Sequence, residues 1–106
     1  MKKVYTVVRI MQKVENGEVQ WTESDIIHIC KDRDLAVEYA NSYVNDSVHD
    51  ALKNADPDYP IVYLDSDKLG RYLTESELSN GAIYISDMKN GERYKIKIEE
   101  YELKVD

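Results

Sequence analysis

The 106-residue sequence predicts an α+β domain in which one long amphipathic helix packs on one face of an antiparallel sheet. The sheet is predicted to contain two β-hairpins and a short strand, in the order β-β-α-β-β. Asn-Gly dipeptides at 16–17 and 90–91 each separate segments rich in β-branched residues, which is typical of hairpin turns. Apolar pairs that repeat every four residues between these hairpins indicate the helix. The length suits a single domain over residues 1–106 with its own core.

The first hairpin is predicted to join strands over residues 4–14 and 18–30. A two-residue loop at Asn16 and Gly17 sets the first cross-strand pairs: Val14–Val19 and Gln12–Trp21. Continued unchanged, this register places Val8 opposite the charged Asp25. We therefore predict a β-bulge at residues 23–25. The bulge produces two apolar pairs: Val8–Ile26 and Val7–Ile27.

Both faces of this hairpin are predicted to be apolar. One face carries Val4, Val8, Ile26 and Cys30, and the other carries Tyr5, Val7, Ile27 and Ile29. A single helix covers only one face of a sheet, and an exposed apolar face commonly marks an association surface. The sequence therefore leaves two possibilities open: a structural or self-associating module, which would form a homodimer, or a monomer in which the segment 61–80 covers the second face.

The long helix is predicted to begin after Asp32 and to run to about Ala55. The Asp32 carboxylate can accept hydrogen bonds from the backbone N–H groups of the first turn. The pairs that form the helix stripe are Leu35/Ala36, Tyr39/Ala40, Tyr43/Val44, Ser47/Val48 and Ala51/Leu52. Two prolines within residues 56–60 end the helix. Because Tyr39 and Tyr43 lie on the stripe, they are predicted to belong to the core.

Two short elements follow, a strand over residues 61–64 and a helical turn over residues 75–79. Thr74 and Glu77 have the spacing of a capping box, which predicts the start of that turn. Asn80 and the following glycine predict its end.

The second hairpin is predicted to pair strands 82–88 and 92–99 around Asn90 and Gly91. A two-residue loop predicts an apolar face with the pairs Ile85–Ile96 and Ile83–Ile98. The opposite face is predicted to be solvent-exposed, with the pairs Tyr84–Lys97 and Ser86–Lys95. The apolar residues then move from even to odd positions, beginning at Tyr101. This change of phase predicts a bulge at residues 99–100 or the end of the strand.

The composition favours recognition over catalysis. The chain has nine tyrosines, no phenylalanine and a net charge of −7. Tyrosine favours half-buried positions and interfaces. Acidic charge repels nucleic acid and attracts basic partners. Residues 31–56 hold three basic and six acidic groups, and residues 57–80 hold two and five, so six of the seven net charges lie in this half.

The same composition excludes other classes. No apolar run approaches the roughly 20 residues that span a bilayer, and the start of the chain lacks the features of a signal peptide. The lone Cys30 excludes an internal disulfide and fits a reducing compartment. We therefore expect a cytoplasmic protein without contact to membrane or direct contact to nucleic acid. No glycine-rich phosphate loop is present, so no cofactor is expected.

His28 and Cys30 are the main candidates for chemistry, because they share one face of a strand and could offer a metal two ligands. His49 could supply a third ligand, and the aspartates further along the chain could bind Ca²⁺ or Mg²⁺. A buried structural cysteine is the favoured interpretation, since a nucleophilic thiol needs an electropositive, accessible setting. A metal-dependent hydrolase therefore remains only an alternative.

The predicted partner-binding segment spans residues 56–72. It combines acidic and tyrosine side chains in the least regular part of the chain: Asp56, Asp58, Tyr59, Tyr63, Asp65, Asp67 and Tyr72. Loops on a rigid scaffold concentrate binding residues, and spaced carboxylates can imitate phosphates. The sequence thus favours a non-enzymatic protein that binds a basic partner, such as a nucleic-acid-binding enzyme. The alternative, in which Tyr63 and Tyr72 pack inward and the aspartates only solvate turns, stays open.

In its pattern the chain resembles small uncharacterised hairpin-helix-sheet domains of phage and bacterial mobile elements. The first hairpin followed by DRDLAVEYA at residues 32–40, and YKIKIEEYEL at residues 94–103, carry this resemblance. The match covers about half of the chain and transfers no functional residue. It implies an accessory phage protein, a class that includes small acidic inhibitors of host enzymes and defence nucleases.

Overall fold

The computed structural model describes residues 2–54, 61–62, 72–87 and 90–103. In chain order its elements are β1 (Lys2–Glu15), β2 (Glu18–Cys30), α1 (Arg33–Lys53), β3 (Ile61–Val62), α2 (Glu75–Asn80), β4 (Ala82–Asp87) and β5 (Glu92–Leu103). The strands form one antiparallel sheet in the order β2-β1-β5-β4-β3. The predicted α+β class and the β-β-α-β-β order are confirmed.

Helix α1 packs on one face of the sheet and builds the core there. Its predicted N-cap is confirmed, because the Asp32 carboxylate accepts a hydrogen bond from the Asp34 backbone N–H at 2.8 Å. The side chains that α1 buries are Ala36, Val37, Ala40 and Val48. The central strands add Val7, Ile96 and Ile98 to the same cluster. As predicted, Tyr39 and Tyr43 pack against this core.

Helix α2 closes one end of the core. The predicted capping box is confirmed: Thr74 Oγ1 accepts from the Glu77 N–H at 3.3 Å, and Glu77 Oε1 accepts from the Thr74 N–H at 3.2 Å. Leu78 is fully buried in the cluster. Asn41 of α1 joins the two helices, because its side chain donates to the Leu73 carbonyl at 3.0 Å and accepts from the Leu73 N–H at 2.6 Å.

The first hairpin has the predicted strands but different bulges. Two predicted pairs are confirmed: Val14–Val19 and Val8–Ile26. The predicted Gln12–Trp21 and Val7–Ile27 pairs are wrong; the observed pairs are Lys13–Trp21 and Val7–His28. The register shifts at Gln20 and at Ile27, and the predicted bulge at residues 23–25 is absent. Since residues 18–26 are all exposed, burial does not select one register in this part of the strand.

The bulge at Ile27 exchanges the faces of the residues that follow it. Cys30 lies opposite Tyr5 and turns toward α1, whereas Ile29 lies opposite Thr6 and turns to the other face. The sequence prediction had assigned these two side chains to the reverse faces. Cys30 is consequently buried and Ile29 is exposed.

The second hairpin also differs from its predicted register. Asp87 pairs with Glu92, so the connection has four residues, 88–91, where two were predicted. The Asn90 side chain donates to the Asp87 carboxylate at 2.9 Å, which closes this wider loop. The observed pairs are Ile85–Tyr94, Ile83–Lys95 and Ser86–Arg93, and all four predicted pairs are wrong. A register shift turns the Tyr84 side chain into the core, although it was predicted to lie on the solvent-exposed face.

Strand β5 lies beside β1 at the centre of the sheet and pairs with it without a shift, from Lys2–Leu103 to Lys13–Glu92. The predicted bulge or strand end at residues 99–100 is therefore wrong. Tyr101 and Leu103 simply lie on the sheet face opposite α1, while Ile96 and Ile98 face the core. The change of phase in the sequence reflects a change in which face of one continuous strand carries the apolar residues: the buried face at Ile96 and Ile98, and the exposed face at Tyr101 and Leu103.

Candidate functional site: an acidic helix surface and an apolar sheet face

Most of the predicted partner-binding segment lies outside the described residues. This applies to six of its seven members: Asp56, Asp58, Tyr59, Tyr63, Asp65 and Asp67. Tyr72 is described, and 58% of its surface is exposed. The segment stays a prediction.

The described tyrosines divide between core and surface. Five of them pack in or against the core: Tyr5, Tyr39, Tyr43, Tyr84 and Tyr94. Tyr72 and Tyr101 are exposed. Tyr101 was predicted to follow the apolar phase of its strand, but that phase lies on the face that α1 leaves open. Exposed tyrosine thus occurs at two places outside the helix-covered core.

Three core tyrosines form an aromatic cluster under α1. Tyr43 meets Tyr84 edge-on with 6.5 Å between ring centroids, and Tyr84 meets Tyr94 at 6.3 Å. Burial is the main cause that raises the pKa of the Tyr84 hydroxyl. Burial, together with a 2.6 Å hydrogen bond to Glu92, raises the pKa of Tyr94 to about 12. Both hydroxyls therefore stay protonated over the whole physiological range.

We expect the protein to lose stability in alkaline solution above pH ~10. Folding raises the pKa of Tyr84 and Tyr94. Their contribution to the free energy of unfolding is therefore complete below the unfolded-state pKa of ~10, and it is lost as pH rises toward their pKa values in the folded protein. Tyrosinate absorbance against pH, recorded beside denaturant unfolding, measures this. The Tyr94→Phe variant should show a weaker loss, and the exposed control Tyr72→Phe should behave as wild type. Ionisation of Tyr84 near pH ~10 with the fold intact would contradict the expectation.

His28 and Cys30 line a groove of ≈ 550 Å³ between β2 and α1. The His28 ring stacks on the Tyr39 ring, with 4.0 Å between their centroids. Burial, and secondarily the charge of Asp32, raises the pKa of the Cys30 thiol. A raised thiol pKa disfavours the thiolate that nucleophilic catalysis or metal binding requires. The geometry agrees with the structural interpretation of this pair.

His49 does not complete a metal site with these two residues. It lies ten residues beyond Tyr39 on α1, which is about 15 Å along the helix axis. Across residues 2–54, 61–62, 72–87 and 90–103, no three His, Cys, Asp or Glu side chains are grouped to hold a metal ion. The proposed three-ligand set is therefore not brought together.

The exposed side of α1 is acidic, and we call it the acidic helix surface. It consists of two carboxylate pairs at i, i+4 spacing: Asp34 with Glu38, and Asp46 with Asp50. The members of a pair lie about 6 Å apart along the axis. No lysine or arginine occurs between positions 34 and 50, and none of the four carboxylates forms an ion pair with another described residue. Arg33 does not neutralise them, because it binds Glu75 at 2.6 Å and Glu100 at 2.8 Å.

Sequence reasoning missed this surface because it sought binding carboxylates in irregular segments. The signal was nevertheless present: the four acidic positions differ by multiples of four and are out of phase with the apolar pairs of the same helix. An acidic row on a helix is usually only a solvated face. Its distinguishing property here is the lack of cations between its members.

The sheet face opposite α1, which we call the outer face, is covered by neither α1 nor α2, since both helices contribute to the core on the other side. Four of the large apolar side chains exposed on it lie together: Ile26 (59%), Ile29 (61%), Tyr101 (46%) and Leu103 (46%). They surround Thr6 and Val8 of the central strand, which are buried among them. An apolar group that continues across three adjacent strands is typical of an association surface.

The outer face becomes basic toward the start of β5. Arg93, Lys95 and Lys97 alternate there, followed by the acidic Glu99. The residues opposite the three cations are uncharged: Gln12, Ile10 and Val8 on β1, and Ser86 and Ile83 on β4. The acidic neighbours that the sequence places beside these cations thus lie mostly on the other face. The fold separates an acidic helix side from a basic and apolar sheet side.

Comparison with protein-family models, with curated proteins and with solved structures finds no match to this chain. Among the residues that the structure describes, no helix combines the length and apolar character needed to cross a membrane.

Proposed function

We propose that this is a non-enzymatic binding protein that engages a basic protein partner through the acidic helix surface. The observation that supports it is the set of four exposed carboxylates on α1 without a lysine or arginine between them. A helix is a rigid support, so these charges are held in place before the partner arrives. Such a row can occupy the phosphate-binding positions of a nucleic-acid-binding protein.

The energetics require several contacts at once. A single exposed ion pair contributes only about 0–1 kcal/mol and is weakened by salt. Four carboxylates that act together, in a protein with a net charge of −7, both steer a basic partner during approach and add to its affinity. The acidic residues of the predicted segment 56–72 follow α1 directly in the sequence and form part of the same proposal.

The sequence resemblance implies an accessory phage protein. In that setting the partner would be a basic, nucleic-acid-binding host enzyme, and this protein would be its inhibitor. The chain has a single cysteine, Cys30, and therefore no internal disulfide, a composition that fits a reducing compartment such as the cytoplasm. In that setting the carboxylates of α1 would compete with nucleic acid for the same cationic site of the enzyme.

The test compares two variants of equal net charge. One neutralises the acidic helix surface through Asp34→Asn, Glu38→Gln, Asp46→Asn and Asp50→Asn. The control neutralises four exposed glutamates elsewhere: Glu15, Glu18, Glu23 and Glu102. Basic proteins retained by the immobilised chain from a bacterial lysate at low salt are quantified for each form.

We expect the helix variant to lose at least about tenfold in retention, which corresponds to about 1.4 kcal/mol, and the control to retain most binding. High salt should release the partner from the wild-type protein. Equal losses in both variants would show that only total charge matters, and undiminished binding by the helix variant would refute the proposal.

A further inference from the structure

The outer face is large enough for a stable protein interface. Strands β1 and β5 pair over twelve residues, a length of about 40 Å. With β2 beside them, three strands about 4.8 Å apart present a width of about 15 Å. The resulting area is about 600 Å² per copy, or about 1,200 Å² for two copies, which reaches the lower limit of standard interfaces.

We propose that the occupant of this face is a second copy of the same chain, packed face to face with its strands antiparallel to those of the first. The twofold axis then crosses the strands at the row formed by Ile26, Val8 and Lys97, which lie opposite one another in the sheet. Ile26 and Lys97 of one copy then lie against the same residues of the other, with the buried Val8 between them in each sheet. Ile29, Tyr101 and Leu103 of each copy then lie over the polar half of the other copy, so the contact covers both apolar groups without joining them.

The charges of β5 select this orientation. Residues of β5 that lie equally far from Lys97 in opposite directions face each other across the interface. Glu99 of each copy therefore lies over Lys95 of the other, and Tyr101 of each copy lies over Arg93 of the other. The first pair is a salt bridge and the second a cation–π contact, and symmetry repeats each of them. Lys95 forms no ion pair with a described residue of its own chain, so its charge is available. Lys97 then lies between its own Glu99, 3.8 Å away, and the Glu99 of the second copy.

The alternative orientation places the twofold axis along the strands. Arg93 and Lys95 of both copies then gather at one end of the dimer, where the described outer face offers no acidic side chain. Concentrated like charge opposes association. The antiparallel arrangement places the two Lys97 side chains together at the axis, but it sets the Glu99 of each copy beside them and moves Arg93 and Lys95 of the two copies to opposite ends. It also leaves the acidic helix surfaces exposed on the two sides of the dimer that lie away from the interface. The dimer therefore does not depend on the function proposed for α1.

A charge exchange tests both the dimer and its orientation. Sedimentation equilibrium at low ionic strength measures the association constant of the wild type, of Glu99→Lys, of Lys95→Glu and of the double variant. Each single change places like charges together twice, so we expect each to lower the association constant by about tenfold or more. The double variant restores the pair with reversed signs and should recover most of the association.

Two further variants separate the interface from the fold. Ile26→Asp places a charge at the centre of the outer face and should abolish the dimer, whereas Leu52→Asp, exposed near the end of α1, should leave it unchanged. Circular dichroism confirms that each variant is folded. A wild-type monomer at every concentration overturns the proposal, and a dimer that the double variant fails to restore overturns the arrangement. The function proposed for α1 is tested separately. If the protein fails to retain a basic partner but still dimerises, that function is refuted and the dimer is not.

Discussion

Replacing Ile96 with alanine is expected to lower the free energy of unfolding by about 3 kcal/mol. Ile96 is fully buried on β5, between Arg9 of β1 and Ala82 of β4, and it faces α1. Deleting its outer carbons removes apolar contacts and leaves a cavity that a central strand cannot close. Because a domain of this size is stable by only about 5–15 kcal/mol, the loss is a large part of the total.

The matched control is Ile26→Ala, the same deletion on the outer face, where the side chain is 59% exposed. We expect it to cost less than about 1 kcal/mol. Urea unfolding of both variants provides the comparison, at a protein concentration low enough for the monomer to dominate. Equal costs at the two positions would mean that the sheet does not have one covered and one open face.

The elements of this fold follow from local signals, which is why the sequence predicts them well. Asn16 and Gly17 turn the first hairpin, because both have the positive φ angles that this turn requires. Asp32 and Thr74 cap the two helices through side chains that reach only two or three residues along the chain. Each signal acts within one turn of backbone, so a single sequence reveals it.

Strand register depends on information that a short window does not contain. The edge strand β2 is exposed over residues 18–26, so its pattern of side chains does not select the positions of the bulges at Gln20 and Ile27. In the second hairpin, the hydrogen bond from Asn90 to Asp87 stabilises a longer loop than the Asn-Gly dipeptide alone suggests. A shift of one residue reverses the face of each side chain beyond it, as Ile29 shows.

The candidate surfaces were predictable to different degrees. The sequence indicated that one helix would leave one apolar face of the first hairpin open, and it grouped Ile26 with Val8, but it did not indicate which of the two faces the helix covers. Tyr101 and Leu103 belong to the outer face only because β5 pairs with β1 without interruption. This pairing joins the two ends of the described chain, so a short sequence window does not reveal it. The acidic helix surface needed only the helical period, but its lack of internal ion pairs is visible only with side chains in place.

The second large effect is expected at a glycine. Gly91→Ala should destabilise the protein by about 3 kcal/mol, whereas Gly17→Ala should cost about 1 kcal/mol. Both glycines have a positive φ, +64° and +79° respectively, so alanine carries the same conformational penalty at each. A Cβ at position 91 would lie 2.8 Å from the Val14 carbonyl oxygen, while at position 17 no atom lies within 4 Å.

The difference between these two variants measures how closely the turn of the second hairpin approaches the end of β1. The Gly91 carbonyl accepts a hydrogen bond from the Val14 N–H at 2.7 Å, so a Cβ that pushes the strands apart also weakens the pairing of β1 with β5. Urea unfolding of both variants gives the two free energies. Equal costs would place Gly91 away from β1. A larger cost at Gly91 would show that this contact helps to set the register of the two central strands, and so decides which side chains the outer face exposes.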